Sequence, residues 1–395
     1  MKIKTLVLFC VTLIMLRFFS AGGVPDSLIE PVMTLFSWGI VFSYFILLAK
    51  PGKIHVPDSF KVPVTLILIS IFISMVSAYL YRDQSFFYSL RGYKNFYVFF
   101  LYFILFRLDF TYREILKLSI VLFFITLFVY CVDIFTFPDS YFASHTFSRR
   151  GAFTIRFYGK GFTVLGIFYF LNAYFREKKF YYFLLYVIGF VFLTFYSASR
   201  LMLLSIILGT LMILYYNRKE VEKYFFYIVP TIMIFVMIGV YYLETYILNL
   251  YSLTISQLNA YDTDVRYRAI KFFTRDFQIN SFTRILGNGY PAIGKYSAYI
   301  EQINLNHGFY TEDLGLIGFW THFGILGVVA WIMIFKKIFL GKTNVNNIFI
   351  KAYFIILFIT VVSGYTIFSP GYMITTVFCL FLFDKNKEQI VEKGI

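Results

Sequence analysis

The chain has 395 residues, of which 59% are hydrophobic and only 14% charged. No ordinary soluble domain carries that balance. The formal net charge of +15 is divided among short clusters between apolar runs, which argues for membrane topology rather than nucleic acid as its cause.

Runs of mainly apolar residues recur from end to end, and twelve of them predict membrane-crossing helices: 5–20, 31–49, 62–81, 95–106, 114–134, 161–175, 180–196, 200–216, 224–243, 313–335, 350–366 and 370–383. A helix of about 20 residues crosses a hydrocarbon core of roughly 30 Å, and helices satisfy every backbone polar group internally. The expected fold is therefore all-α, a polytopic transmembrane helical bundle. The fourth span is short and needs its flanking aromatics and Lys94 to complete a crossing.

The alternate connections 50–61, 107–117, 176–179, 217–223 and 336–342 are short, and each holds three Lys or Arg. By the positive-inside rule these face the cytoplasm, and with Lys2, Lys4, Lys385 and Lys387 they place both termini there. The basic and apolar N-terminus also resembles a signal peptide, although Arg17 fits better as a side chain snorkelling to the outer interface. Cys10, Cys131 and Cys379 all lie within apolar spans, pack as small hydrophobes and predict no disulfide framework.

Two outer connections are longer, 135–160 and 244–311. The second divides the chain into nine spans (1–243), an extended outer loop (244–311) and three further spans with a tail (312–395). It has too little apolar content to form an independent domain and should lie over the mouth of the bundle. Within it, 262–277 begins with N-cap residues and places Val265, Ala269, Phe272, Phe273 and Phe277 at helical spacing, predicting an amphipathic helix resting on the membrane. Arg268, Lys271 and Arg275 form a basic stripe on that helix, and LGNGYP at 286–291 is a glycine-rich turn.

Positive charge on the outer side is charge that topology does not explain. It gathers at Arg82, Arg91 and Lys94, at Arg149, Arg150, Arg156 and Lys160, at Arg200, and on the loop helix with Arg266 and Arg268. Arg200 begins an apolar span after a tight turn, so it is either an interfacial snorkel or an anion-binding group, and a guanidinium fork suits phosphate. His307 is either an ordinary loop histidine or a general base, since imidazole exchanges protons near neutral pH. The polar loop carrying it runs into a helix beginning at Glu312 and Asp313, whose carboxylates fit helix capping as well as catalysis. Further along that helix, His322 is either a helix–helix hydrogen-bonding residue or a second cavity residue. Gly315 and Gly318 lie on one face, and Gly324 and Gly327 on the other, predicting close helix contacts on both sides. The histidines are scattered and the first outer loop offers only Asp26 and Glu30, so no metal site and no cofactor is expected.

These features resemble the O-antigen polymerase and O-antigen ligase superfamily of bacterial polysaccharide assembly. SASRLMLLSIILG at 197–209 is similar to its serine–arginine helix start. RYRAIKFF at 266–273 with RILGNGYP at 284–291 is similar to its loop helix and turn, and NHGFYTEDLGLIGFWTHFGILG at 306–327 to its histidine-then-paired-glycine segment. The resemblance covers about 195–335 and implies a GT-C-like membrane glycosyltransferase in the inner membrane. Its implied reaction is a metal-independent, inverting transfer from an undecaprenyl-pyrophosphate-linked oligosaccharide. His307 would be the catalytic base, Arg200, Arg266, Arg268 and Arg91 would bind the pyrophosphate, and Glu312, Asp313, His322 and Arg150 are secondary candidates. The implied partners are membrane lipid, a chain-length regulator and a flippase, with no nucleic acid. A polymerase extends a lipid-linked repeat unit, whereas a ligase transfers the glycan to the lipid A core. Two further readings stay open: a transporter of polyprenyl-linked sugars and a metal-dependent glycosyltransferase.

Overall fold

The fold comes from a computed structural model that describes residues 3–18, 26–49, 58–136, 145–146, 155–156, 159–197, 200–220, 222, 265–342, 346–361, 364 and 366–392. The predicted ninth span, 224–243, lies outside them.

Helices follow the apolar runs closely: α1 (Ile3–Met15), α2 (Asp26–Ala49), α3 (Asp58–Arg82), α4 (Phe86–Gly92), α5 (Phe100–Arg107), α6 (Tyr112–Phe135), α7 (Lys160–Glu177), α8 (Phe180–Ser197) and α9 (Arg200–Tyr216). Within the long loop lie α10 (Val265–Lys271), α11 (Ser281–Leu286) and α12 (Lys295–His307), and then come α13 (Leu316–Leu340), α14 (Ile348–Val361) and α15 (Pro370–Glu392). Local chemistry sets several boundaries. Thr111 caps α6 in a reciprocal capping box with Glu114, and Lys178 in the left-handed region ends α7.

Among the described residues, four helices are long and apolar enough to cross a membrane: Ser27–Ala49, Ser59–Arg82, Tyr112–Phe135 and Leu316–Leu340. They expose large apolar side chains such as Leu35, Phe42, Phe72, Leu80, Phe128 and Ile332, as a lipid-facing surface requires. The chain is thus a helical membrane protein, while α1, α8, α9 and α14 are apolar but shorter.

The weak fourth span is part of a longer element. A 3₁₀ segment, Tyr93–Phe99, joins α4 to α5, and every residue from Phe96 to Phe106 is buried. Being covered by protein rather than lipid, it can be short and aromatic. The described fold is all-helical apart from one two-residue pairing in the connection 135–160, where His145–Thr146 pairs antiparallel with Ile155–Arg156.

The basic connections meet at one end of the bundle. Arg107 Nε donates to Leu47 O (3.1 Å), Lys4 Nζ to Asp109 O (2.7 Å), and Tyr112 Oη to Asn346 O (3.2 Å). Arg176 donates to Asn346 Oδ1 (3.0 Å), and Lys178 pairs with Glu220. At the other end Glu30 holds both Arg17 (3.2 Å) and Lys94, so Arg17 is ion-paired within the protein. Helices α3 and α13 run antiparallel between these ends, with Arg82 and Thr321 at the loop end and Ser59 and Gly341 at the basic end.

Candidate functional site

Residues 265–314 form a small subdomain with its own core: Ala269, Phe273, Phe277, Tyr296, Ile300, Ile303, Phe309 and Leu314 are all buried together. The apolar face of α10 is therefore turned into protein, not laid on a membrane as the sequence suggested. Val265, counted on that face, is exposed. After Lys271 the helix widens into a π-type turn in which Phe277 N donates to Phe272 O (2.9 Å), bringing Phe273 and Phe277 to the same core. The spacing of Tyr296, Ile300 and Ile303 marks α12 and was legible in the sequence, but its polar flanks hid it.

Helix α13 is broken at Gly324, whose backbone (φ 71, ψ −169) lies in a region accessible essentially only to glycine. The glycine turn enters there. Asn288 N donates to Thr321 O (2.8 Å) and Gly289 N to His322 O (3.0 Å), so carbonyls beside the kink are satisfied by the loop. A Cβ on Gly324 would lie 2.2 Å from Ile285 O, and one on Gly289 would lie 2.5 Å from Ala78 Cβ. The expected glycine contacts between helices are thus contacts between a helix and loop backbone. Gly318 likewise faces Thr311 O, and Gly327 faces Phe319 and Phe323 of its own helix.

His322 is fully buried and ties this junction together. Its Nδ1 is 2.9 Å from Gly289 O and its Nε2 is 2.9 Å from Thr311 Oγ1. A carbonyl only accepts, so Nδ1 carries a proton; Thr311 donates to Nε2 in the neutral ring and accepts from it in the imidazolium. The bonds run to the loop, not to another helix. Tyr290, whose ring centre is 5.0 Å from that of His322, donates to Glu312 Oε1 (3.1 Å), and its own N–H donates to Tyr93 Oη (2.9 Å). Glu312 and Asp313 sit in a 3₁₀ turn, Thr311–Leu314, and α13 begins only at Leu316, because Gly315 (φ 56) redirects the chain. Glu312 accordingly serves the junction instead of capping the helix.

Arg82, at the end of α3, is the residue the sequence undervalued. Its Nε donates to Asn288 Oδ1 (2.9 Å), a second nitrogen reaches the same oxygen and Phe277 O, and its guanidinium lies 4.0 Å from the Phe277 ring centre. Asn288 in turn donates to Gln278 Oε1 (2.9 Å). Burial pushes the Tyr296 phenol above its ordinary range, against the opposing charge of Arg82, and its hydroxyl donates to Gly289 O (3.1 Å). One buried network thus fastens the subdomain to α3 and α13.

His307 is the last residue of α12, not a member of the loop leading into α13, and it is exposed. Its ring stacks on Phe309 (5.3 Å, 27°), and the Arg268 guanidinium lies 5.9 Å from the same ring. The predicted base and one predicted phosphate ligand therefore share a single aromatic platform. Arg266, Lys271 and Arg275 are exposed on the same subdomain. No family model matches this chain, and no curated protein or solved structure matches it. Arg91 is half-buried on α4 beside Gly92, which packs against Ala292 just after the glycine turn. Arg200 is the first residue of α9 as expected, but its side chain is outside the described set, and Arg150 lies wholly outside it. What the described residues assemble is an accessible imidazole and guanidinium on a rigidly mounted surface. That pair can take a proton and hold an anion.

Proposed function

We propose that this protein is a membrane glycosyltransferase of the O-antigen polymerase type, extending a lipid-linked saccharide repeat unit at the outer face of a bacterial inner membrane with both termini in the cytoplasm. The observation that carries this reading is the sharing of Phe309 by His307 and Arg268, on the end of the bundle opposite the basic connections. His307 takes the proton of the acceptor hydroxyl. The freed oxygen attacks the anomeric carbon of the donor sugar from the face opposite the leaving group, the carbon–oxygen bond to pyrophosphate breaks, and the lipid pyrophosphate departs with the electron pair. Arg268, with Arg266, Arg91 and Arg200 as further ligands, balances the leaving negative charge. The imidazolium returns its proton to water.

The test is chain growth by purified protein on undecaprenyl-pyrophosphate-linked repeat units. His307→Ala should lose about 100-fold or more, the span of general base catalysis, and Arg268→Ala should lose rate with it. Near wild-type rates in both variants, at equal expression, would overturn the assignment. Transfer to lipid A core in place of a repeat unit would make it a ligase. A transporter reading draws on the kink in α13, because transporters place broken helices at their binding sites. Here the carbonyls of Thr321 and His322 accept from Asn288 and Gly289, so the kink binds the protein's own loop and favours the enzyme reading.

A further inference from the structure

The subdomain leaves one apolar row uncovered. Ile279 (52% exposed), Phe282 (62%) and Ile285 (50%) lie along one flank of α11 and its N-terminal approach, while Thr283 on the opposite side is buried. A water-facing segment this short has no reason to present three large apolar side chains, two on the helix and Ile279 just before it, and the Asn280 cap with Thr283 fixes the start of the helix. Backbone contact decides what lies beneath it. Ile285 O and Leu286 C sit where a Cβ on Gly324 would fall, so α11 adjoins Ile325, and Ile325, Val329 and Ile332 form the exposed apolar flank of α13. Helix α3, packed beside it, exposes Val76, Tyr79 and Leu80 up to Arg82, which is bonded to the turn following α11. The exposed apolar flanks of α3 and α13 thus lie next to that of α11.

We infer that α11 is an interfacial anchor, with Ile279, Phe282 and Ile285 inserted into the leaflet on the loop side of the membrane and exposed Arg284 reaching back to the headgroups. The occupant is the bilayer itself. Sequence periodicity pointed to α10 for this role, but the apolar face of α10 is consumed by the subdomain core. Anchoring would hold the His307–Arg268 surface at a fixed height above the lipid, where the phosphates of a lipid-linked molecule lie. The inference rests on the membrane reading alone and does not require the enzymatic one.

The test is spin labelling in lipid nanodiscs, in a background with Cys10, Cys131 and Cys379 replaced by alanine. Labels at Phe282→Cys and Ile285→Cys are expected to collide more with oxygen, which partitions into lipid, than with a water-soluble nickel complex. Labels at Lys271→Cys and Glu301→Cys on the same subdomain should show the reverse ratio. Nickel-dominated relaxation at 282 and 285 would overturn the inference by placing α11 in water. Protection from both relaxants would overturn it by placing α11 against another protein surface. If one variant fails to accumulate, the other reports the same flank, and neither measurement involves catalysis.

Discussion

Replacing Gly324 by alanine tests the central structural claim, that a helix kink and a glycine turn are built for each other. Alanine at φ 71, ψ −169 costs about 1–3 kcal/mol in backbone strain. Its Cβ would also stand 2.2 Å from Ile285 O and 2.7 Å from Gly287 N, and these are backbone atoms that cannot rotate aside. The turn must retreat, breaking the bonds Asn288 N to Thr321 O, Gly289 N to His322 O and His322 Nδ1 to Gly289 O. At about 1 kcal/mol net for each bond, the junction loses roughly 4–6 kcal/mol in all. At 1.4 kcal/mol per tenfold, amides at Asn288 and Gly289 should exchange at least about 1,000-fold faster. Hydrogen exchange by mass spectrometry on peptides covering 286–292, in nanodiscs and with an α6 peptide as reference, reads this directly. Gly39→Ala is the control, since a Cβ there meets nothing within 4 Å and helical alanine is favoured over glycine. Unchanged exchange at 288–289 in Gly324→Ala would refute the reasoning.

Arg82→Lys should loosen the subdomain by about 2 kcal/mol, because an ammonium keeps the charge but cannot supply the forked bonds to Asn288 and Phe277; faster protease cleavage within 265–307 would report it. Tyr296 has its phenol raised by burial, so the stability it contributes is complete below its ordinary pKa of about 10 and is lost as pH rises beyond that. Subdomain exchange should accelerate from about pH 10 upward in wild type, and Tyr296→Phe should flatten that dependence while lowering stability modestly at neutral pH. Arg218→Cys and Lys271→Cys, both exposed, should react with a membrane-impermeant maleimide from opposite sides of the membrane, and labelling from one side would end the proposed topology. Arg268→Lys should reduce chain growth more than Lys271→Arg does, since Arg268 lies against the Phe309 ring on which His307 stacks.

Sequence alone determined the class of molecule and the alternation of its helices. Apolar run length and the placement of Lys and Arg are one-dimensional signals, and hydrogen bonds among residues 4, 47, 107, 109, 112, 176 and 346 show the basic connections gathered at one end. Sequence position and family resemblance together also put His307 and Arg268 among the candidates, beside Arg200, Arg266 and Arg91. It could not disclose that they share Phe309, because that contact joins α10 to the far end of α12 through a core of residues from three segments. Tertiary structure likewise decided the roles of the glycines, Glu312 and His322. Helical periodicity assigns each a face, but the kink at Gly324 and the turn at Gly315 cancel that periodicity where the loop enters. What a buried polar residue bonds depends on which backbone groups a neighbouring segment leaves open, and no local pattern records that.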